Sequence, residues 1–281
     1  MRRVLPLVLL VFALAACAEQ PIVDPPPAGQ STYQPDDVVL RVEQIGGFVP
    51  VESLVTYLPQ LTVYGDGRVI SPGPVIDIYP GPAVPNVQVQ TITPAAVRTL
   101  VGLAITAKVG TPFDFGQPQV ADGTSTRITV LTGAGEQVST VYMLGLDDGL
   151  TAAQRMARVP LRNLVAKLED LPGTVGADKV GQSSPYVPDV LAVVDAPWVA
   201  DPTLTEPEQA WPGPALPGEK VGAPGGNLGC VTVSGAQLAT VLDAATHANQ
   251  LTPWLWDAMR YRLQFRPLLP DESSCDDLGQ H

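Results

Sequence analysis

Histidine is nearly missing from this chain: His247 and His281 are the two, and His281 is the last residue. A Ser-His-Asp triad would have to use His247, yet no serine stands in a GxSxG elbow. No GxGxxG or Walker loop is present either. Basic charge is short as well, with 16 Lys and Arg against 28 Asp and Glu and a net charge of −12. Lysine occurs only at Lys108, Lys167, Lys179 and Lys220. That balance argues against nucleic acid, whose phosphates need basic stripes, and against electrostatic docking on anionic lipid. Aromatics make up only 6%. What is abundant is apolar residue (45%), with 30 Pro and 26 Gly, which describes a globular chain rich in turns.

The first seventeen residues carry an address. Arg2 and Arg3 precede Val4 to Ala16, an apolar run without charge and shorter than the ~20 residues of a spanning helix. A basic start, a short apolar stretch and small residues before a cut site read as a secretory signal over 1–16. Ending in Leu14-Ala15-Ala16-Cys17, the segment resembles the lipobox of bacterial lipoproteins, and the body resembles uncharacterised lipoproteins of high-GC bacteria. The resemblance implies cleavage before Cys17, acylation of Cys17, and attachment to the extracytoplasmic face of the cell membrane. The lipid bilayer is then a partner through the acyl chains, and stable attachment takes more than one chain. Loss of Arg2 and Arg3 takes the charge from −12 to −14. With Cys17 lipidated, Cys230 and Cys275 remain, and two thiols outside the cytoplasm most simply form one disulfide. The rival, a metal or redox pair, has no His or Cys beside either residue.

Residues 17–36 hold Pro21, Pro25, Pro26, Pro27 and Pro35 and read as a Pro-rich tether. Val38 to Glu43 reads as a strand, and LPQLTVYGDGRVI (58–70) as a hairpin turning at Gly65-Asp66-Gly67. A lone Asp66 lacks the repeated oxygens of a calcium loop. Residues 71–90 read as an irregular Pro-rich excursion. Thr93 caps a helix with Pro94 at its first position and Val97, Leu100, Val101, Ala104 and Ile105 on its apolar face. A second hairpin joins 126–132 to 137–144, and a helix over 151–171 contains Pro160, which is expected to bend or split it. Val190 to Val194 and Cys230 to Val233 read as strands. Ser234 caps a helix to about Ala248, and Tyr261 to Phe265 alternates as a strand. Trp198 and Trp211 are expected to anchor the Pro/Gly-rich stretch 195–229.

Two segments run in parallel. QTITPAAVRTLVGLA, FDFG and RITVLTG in the first half match CVTVSGAQLATVLDA, WLWD and YRLQFRP in the second. They read as a degenerate internal duplication or as one common α+β unit used twice. The expected architecture is α+β: antiparallel sheets with segregated helices in two similar-sized lobes, 37–172 and 187–281, joined by a linker at 173–186.

Carboxylates are the only abundant reactive groups. Asp147-Asp148, Glu169-Asp170, Asp271-Glu272 and Asp276-Asp277 are adjacent pairs at helix ends and in the tail, where solvation accounts for them. With one internal imidazole and both remaining thiols committed, no catalytic residue, metal site or cofactor is expected. Candidate ligand-contact aromatics are Phe113 and Phe115 around Asp114, and Trp254 and Trp256 around Leu255. The expected function is a membrane-anchored extracytoplasmic lipoprotein of non-enzymatic binding or scaffolding type, with an envelope protein or glycan as partner. The alternatives are a carboxylate-dependent hydrolase of wall polysaccharide and, more weakly, a transporter-associated solute-binding protein.

Overall fold

Strand pairing sorts this chain into two sheets, each built from one consecutive stretch of sequence. The computed structural model describes residues 32–200, 206–222 and 226–279; the signal segment, Cys17 and the tether up to residue 31 lie outside them. In chain order the elements are β1 (Val38–Ile45), α1 (Val51–Thr56), β2 (Leu61–Tyr64), β3 (Arg68–Pro72), β4 (Val87–Thr91), α2 (Pro94–Thr106), β5 (Ser125–Thr132), β6 (Gly135–Tyr142), α3 (Ala152–Glu169) and α4 (Leu171–Val175). There follow β7 (Ser184–Pro185), β8 (Val190–Pro197), β9 (Gln209–Ala210), β10 (Glu219–Lys220), β11 (Gly229–Ser234), α5 (Gly235–Thr246), β12 (Trp254–Trp256) and β13 (Met259–Pro267). The first sheet has the order β6-β5-β1-β2-β3-β4-β7 and the second β10-β11-β8-β13-β12-β9. All pairs are antiparallel except β9 with β12. The fold is α+β, as the pattern of strands and capped helices leads one to expect.

Each sheet buries one face under helices. Leu40, Val42, Ile128, Val130 and Val141 of the first meet Val97, Leu100 and Ala104 of α2 and Leu161, Leu164 and Leu168 of α3. In the second, Val193, Val233, Leu263 and Phe265 meet Val241 and Ala245 of α5, with Trp211 and Trp254 filling the gap. The opposite face of the second sheet, Ala192 and Val194, packs on Val55 of α1 and on Leu268 and Leu278 of the C-terminal tail. Tyr64, Ile70 and Val87 from the first sheet pack on Leu269 of the same tail. The described residues thus form one compact unit.

Local chemistry explains the boundaries. Thr93 accepts from the Ala96 N–H at the start of α2, and Thr151 with Gln154 forms a capping box at the start of α3. At the β2–β3 turn Gly67 has φ +91°, and a Cβ there would lie 2.3 Å from the Ile92 carbonyl oxygen. Asp66 accepts from Arg68 in that turn, so the acid serves the hairpin.

Several local expectations are corrected. Helix α3 runs through Pro160 without splitting; the proline leaves the Met156 carbonyl without its usual helical donor. Stretch 71–90 is irregular only over 73–86, because its first two residues end β3 and its last four belong to β4, which pairs with β3 over five residues. Residues 173–186 hold the end of α4, a 3₁₀ turn (Ala177–Lys179) and β7 instead of a plain linker. Trp254-Leu255-Trp256 is a strand and FDFG a loop, so the paired segments differ there. Ser234 occupies the cap position of α5 without a side-chain capping bond. Tyr33 and Asp36, read as tether, dock on the body: the Tyr33 hydroxyl donates to Leu131 O, and Asp36 pairs with Arg68.

Candidate functional site

Three of the four sequence-named aromatics pack in or against two different cores. Trp254 is 1% exposed and stacks edge-on against Trp211 (5.7 Å) and Phe265 (5.6 Å). Trp256 packs beside them. Phe115 packs against the core of the first sheet. Phe113 alone is open, with the Lys108 ammonium 5.7 Å from its ring. A fully buried Trp254 cannot touch a ligand, so these four residues form no common groove. His247 closes α5, its Nδ1 2.9 Å from the Asp243 carbonyl. Among the described residues no group of three His, Cys, Asp or Glu could hold a metal ion.

Every adjacent carboxylate pair has at least one member tied down. Asp147 accepts from Arg162 (2.6 Å), which holds its carboxyl below the usual range. Glu169 accepts from Gln60, and Asp170 accepts from Gly173 N at the start of α4. Asp277 accepts from the Ser273 and Ser274 N–H groups, and these bonds lower its pKa.

Asp271 and Glu272 do the most, and the sequence placed them in a solvated tail. Asp271 accepts from Arg41 Nη2 at 2.8 and 2.9 Å and from the Tyr64 hydroxyl at 2.5 Å. Burial opposes the Arg41 charge, but the neighbouring carboxylate outweighs it and raises the pKa; burial and the same carboxylate push the Tyr64 phenol far up. Glu272 takes both guanidinium nitrogens of Arg266 at 3.0 and 2.7 Å, and the Leu269 N–H at 2.7 Å. Arg266 and Glu272 are each 1% exposed. One buried ion pair, Arg266–Glu272, and one half-buried pair, Arg41–Asp271, therefore clasp the C-terminal tail to β13 of one sheet and β1 of the other. The signal available in the sequence was Arg41 and Glu43, two charges alternating with Leu40 and Val42 in an apolar strand.

Beside this clasp lies a cavity of about 220 Å³, lined by Leu54, Tyr57, Leu58, Leu278, Arg266 and Glu43. Glu43 faces Arg127 of the neighbouring strand at 3.4 Å, and Arg266 spends its donors on Glu272, Tyr57 O and Pro267 O. Every charge at this cavity is matched by a protein group, so its chemistry is that of packing and hydrogen bonding.

Exposed apolar side chains gather elsewhere. Phe48, 87% exposed, follows β1, and Val75, Ile76, Ile78 and Tyr79 follow β3. β1 starts and β3 starts at the end of the sheet where residues 32–37 dock, since Gly65 N donates to Asp37 O and Asp66 N to Pro35 O. Both apolar loops therefore lie at the opposite end. The eight residues of β1 span ~26 Å at the usual strand rise. Comparison with protein-family models, curated proteins and solved structures finds no match for this chain.

Proposed function

We propose that this protein is a membrane-anchored extracytoplasmic lipoprotein that binds or scaffolds another component of the cell envelope. The observation that carries the reading is the pairing of Cys230 with Cys275, which leaves Cys17, behind Leu14-Ala15-Ala16, as the cysteine outside a disulfide. A disulfide fits an oxidising compartment. Among the described residues no helix is long and apolar enough to cross a membrane, so attachment in this reading falls to the acyl chains on Cys17.

The arrangement of the body supports binding. The chain enters the fold at one end of the first sheet, and the exposed apolar loops around Phe48 and Val75 to Tyr79 project from the other. Contiguous exposed apolar residues are a mark of interaction surfaces. At least one member of each adjacent carboxylate pair is engaged by an arginine, a side-chain amide or a backbone N–H group.

Replacing Cys17 tests the anchor. Cys17→Ala is expected to release the protein from the membrane fraction or to leave an uncleaved precursor; normal processing with full membrane retention overturns the lipoprotein reading. Cross-linking in intact cells, with Cys17→Ala as unanchored control, tests the binding role. An envelope protein or glycan captured only by the anchored form supports scaffolding, and its reproducible absence overturns it.

A further inference from the structure

The four outer edges of the two sheets are not equal. Three are strands of two residues each: β7, β9 and β10. Such short edges, one of them ending in Pro185, are the usual way of blocking pairing with another chain. The fourth edge is β6, eight residues long, in unbroken register with β5 from Ser125↔Tyr142 to Thr132↔Gly135. It contains no proline, no lysine and no bulge. Alternate residues of an edge strand direct their N–H and C=O groups outward, so a strand of this length is a template for a further strand.

Part of the edge is closed. The Tyr142 carbonyl accepts from Arg158 Nη2 (2.8 Å), and the Tyr142 hydroxyl donates to Val120 O and accepts from Gly123 N. That loop covers one end. From Glu136 to Thr140 no other described strand pairs with the outer side; the Glu136 carbonyl accepts from Gln137 Nε2 of its own strand, and the Gly110 N–H donates to Ser139 Oγ on the helix face. The five residues span ~17 Å at the antiparallel strand rise. Ser139 is buried toward the helices, while Glu136, Val138 and Thr140 are exposed on the other face.

We infer that this edge takes a second copy of the same chain, in an antiparallel β6–β6 pair centred on Val138. The residue pattern is self-complementary about that point. A two-fold axis at Val138 sets Glu136 opposite Thr140 of the second copy, Gln137 opposite Ser139, and valine on valine. The only charged residue of the strand, Glu136, then never faces itself, and like charges directly opposite are what destabilise such pairs. An isologous contact of this kind closes at two copies. A five-residue strand pair falls below the ~1,200 Å² of a stable interface, so the dimer is concentration-dependent. Lipid anchoring would raise the effective concentration, but the pairing stands whether or not Cys17 is lipidated.

Cysteine cross-linking and sedimentation of the purified full-length protein in detergent test this. Val138→Cys is expected to form a covalent dimer under mild oxidation, several-fold more than Thr140→Cys, which faces Glu136, or Thr99→Cys on the exposed side of α2. Val138→Lys sets two like charges together and is expected to shift the wild-type dimer to monomer while the protein still melts cooperatively, its melting temperature no longer rising with concentration. Wild-type protein sedimenting as a monomer at every concentration overturns the inference. So does Val138→Cys cross-linking no better than Thr99→Cys.

Discussion

At the scale of single residues, the strongest commitments are charges held inside. Arg266 and Glu272 are removed from water together, and their four-atom fork is what makes that tolerable. Breaking one partner leaves the other charge uncompensated, which typically costs 3–5 kcal/mol. Glu272→Gln is therefore expected to destabilise the fold by about that amount in urea unfolding, while the double change Arg266→Met with Glu272→Leu recovers only part of the loss, because the Leu269 N–H and the Tyr57 and Pro267 carbonyls lose their partners. Asp195 behaves differently: it is 1% exposed, accepts from the Gly218 N–H, and has no cationic partner among the described residues, so burial raises its pKa above the usual carboxylate range. The raised folded value means that its contribution to stability is fully present below the unfolded pKa of ~3.9 and is lost as pH rises through the folded value. Asp195→Asn keeps the acceptor and removes the charge, so it is expected to be more stable than wild type at pH 7. The difference should shrink toward zero below about pH 4 in melts run across pH. Neither role was legible in the sequence. Asp195 stood in a stretch read as loop and Glu272 in a stretch read as solvated tail, because nothing local signals a partner that arrives from another strand.

At the scale of elements, the segments with their own local logic were legible. Both hairpins, α2 with its threonine cap and proline, and the alternating β13 follow from periodicity and turn chemistry. The short pieces were not: α1, α4 and the two-residue strands have no pattern of their own and exist because a neighbour covers them. The C-terminal tail is the clearest case. It has little regular structure, yet it is fixed by Asp271, Glu272 and the Cys230–Cys275 disulfide, which closes a 45-residue separation. Removing that crosslink as Cys230→Ser with Cys275→Ser is expected to lower stability by ~2–4 kcal/mol on the chain-entropy account, read as a lower melting temperature. The same loss should follow reduction of the wild type.

At the scale of the whole molecule, a tail packed between two sheets turns two consecutive stretches of sequence into one unit. Leu268, Leu269 and Leu278 belong to clusters that draw residues from α1 and from both sheets. The strand directions then place the docked residues 32–37 and the apolar loops at opposite ends, and they leave one long edge at β6. The candidate aromatics illustrate the limit of reading a motif by itself. Phe113, Phe115, Trp254 and Trp256 looked alike as aromatic pairs, but packing sent three of them into or against two separate cores and left only Phe113 open. The sequence by itself determined the α+β class, the turn-rich surface, the main helices and hairpins, and the parity that joins Cys230 to Cys275, because each depends on neighbours or on composition. Only the tertiary structure decided which charges are buried in pairs, which aromatics are core and which edge stays open. Those outcomes depend on residues that meet across more than two hundred positions, as Arg41 and Asp271 do.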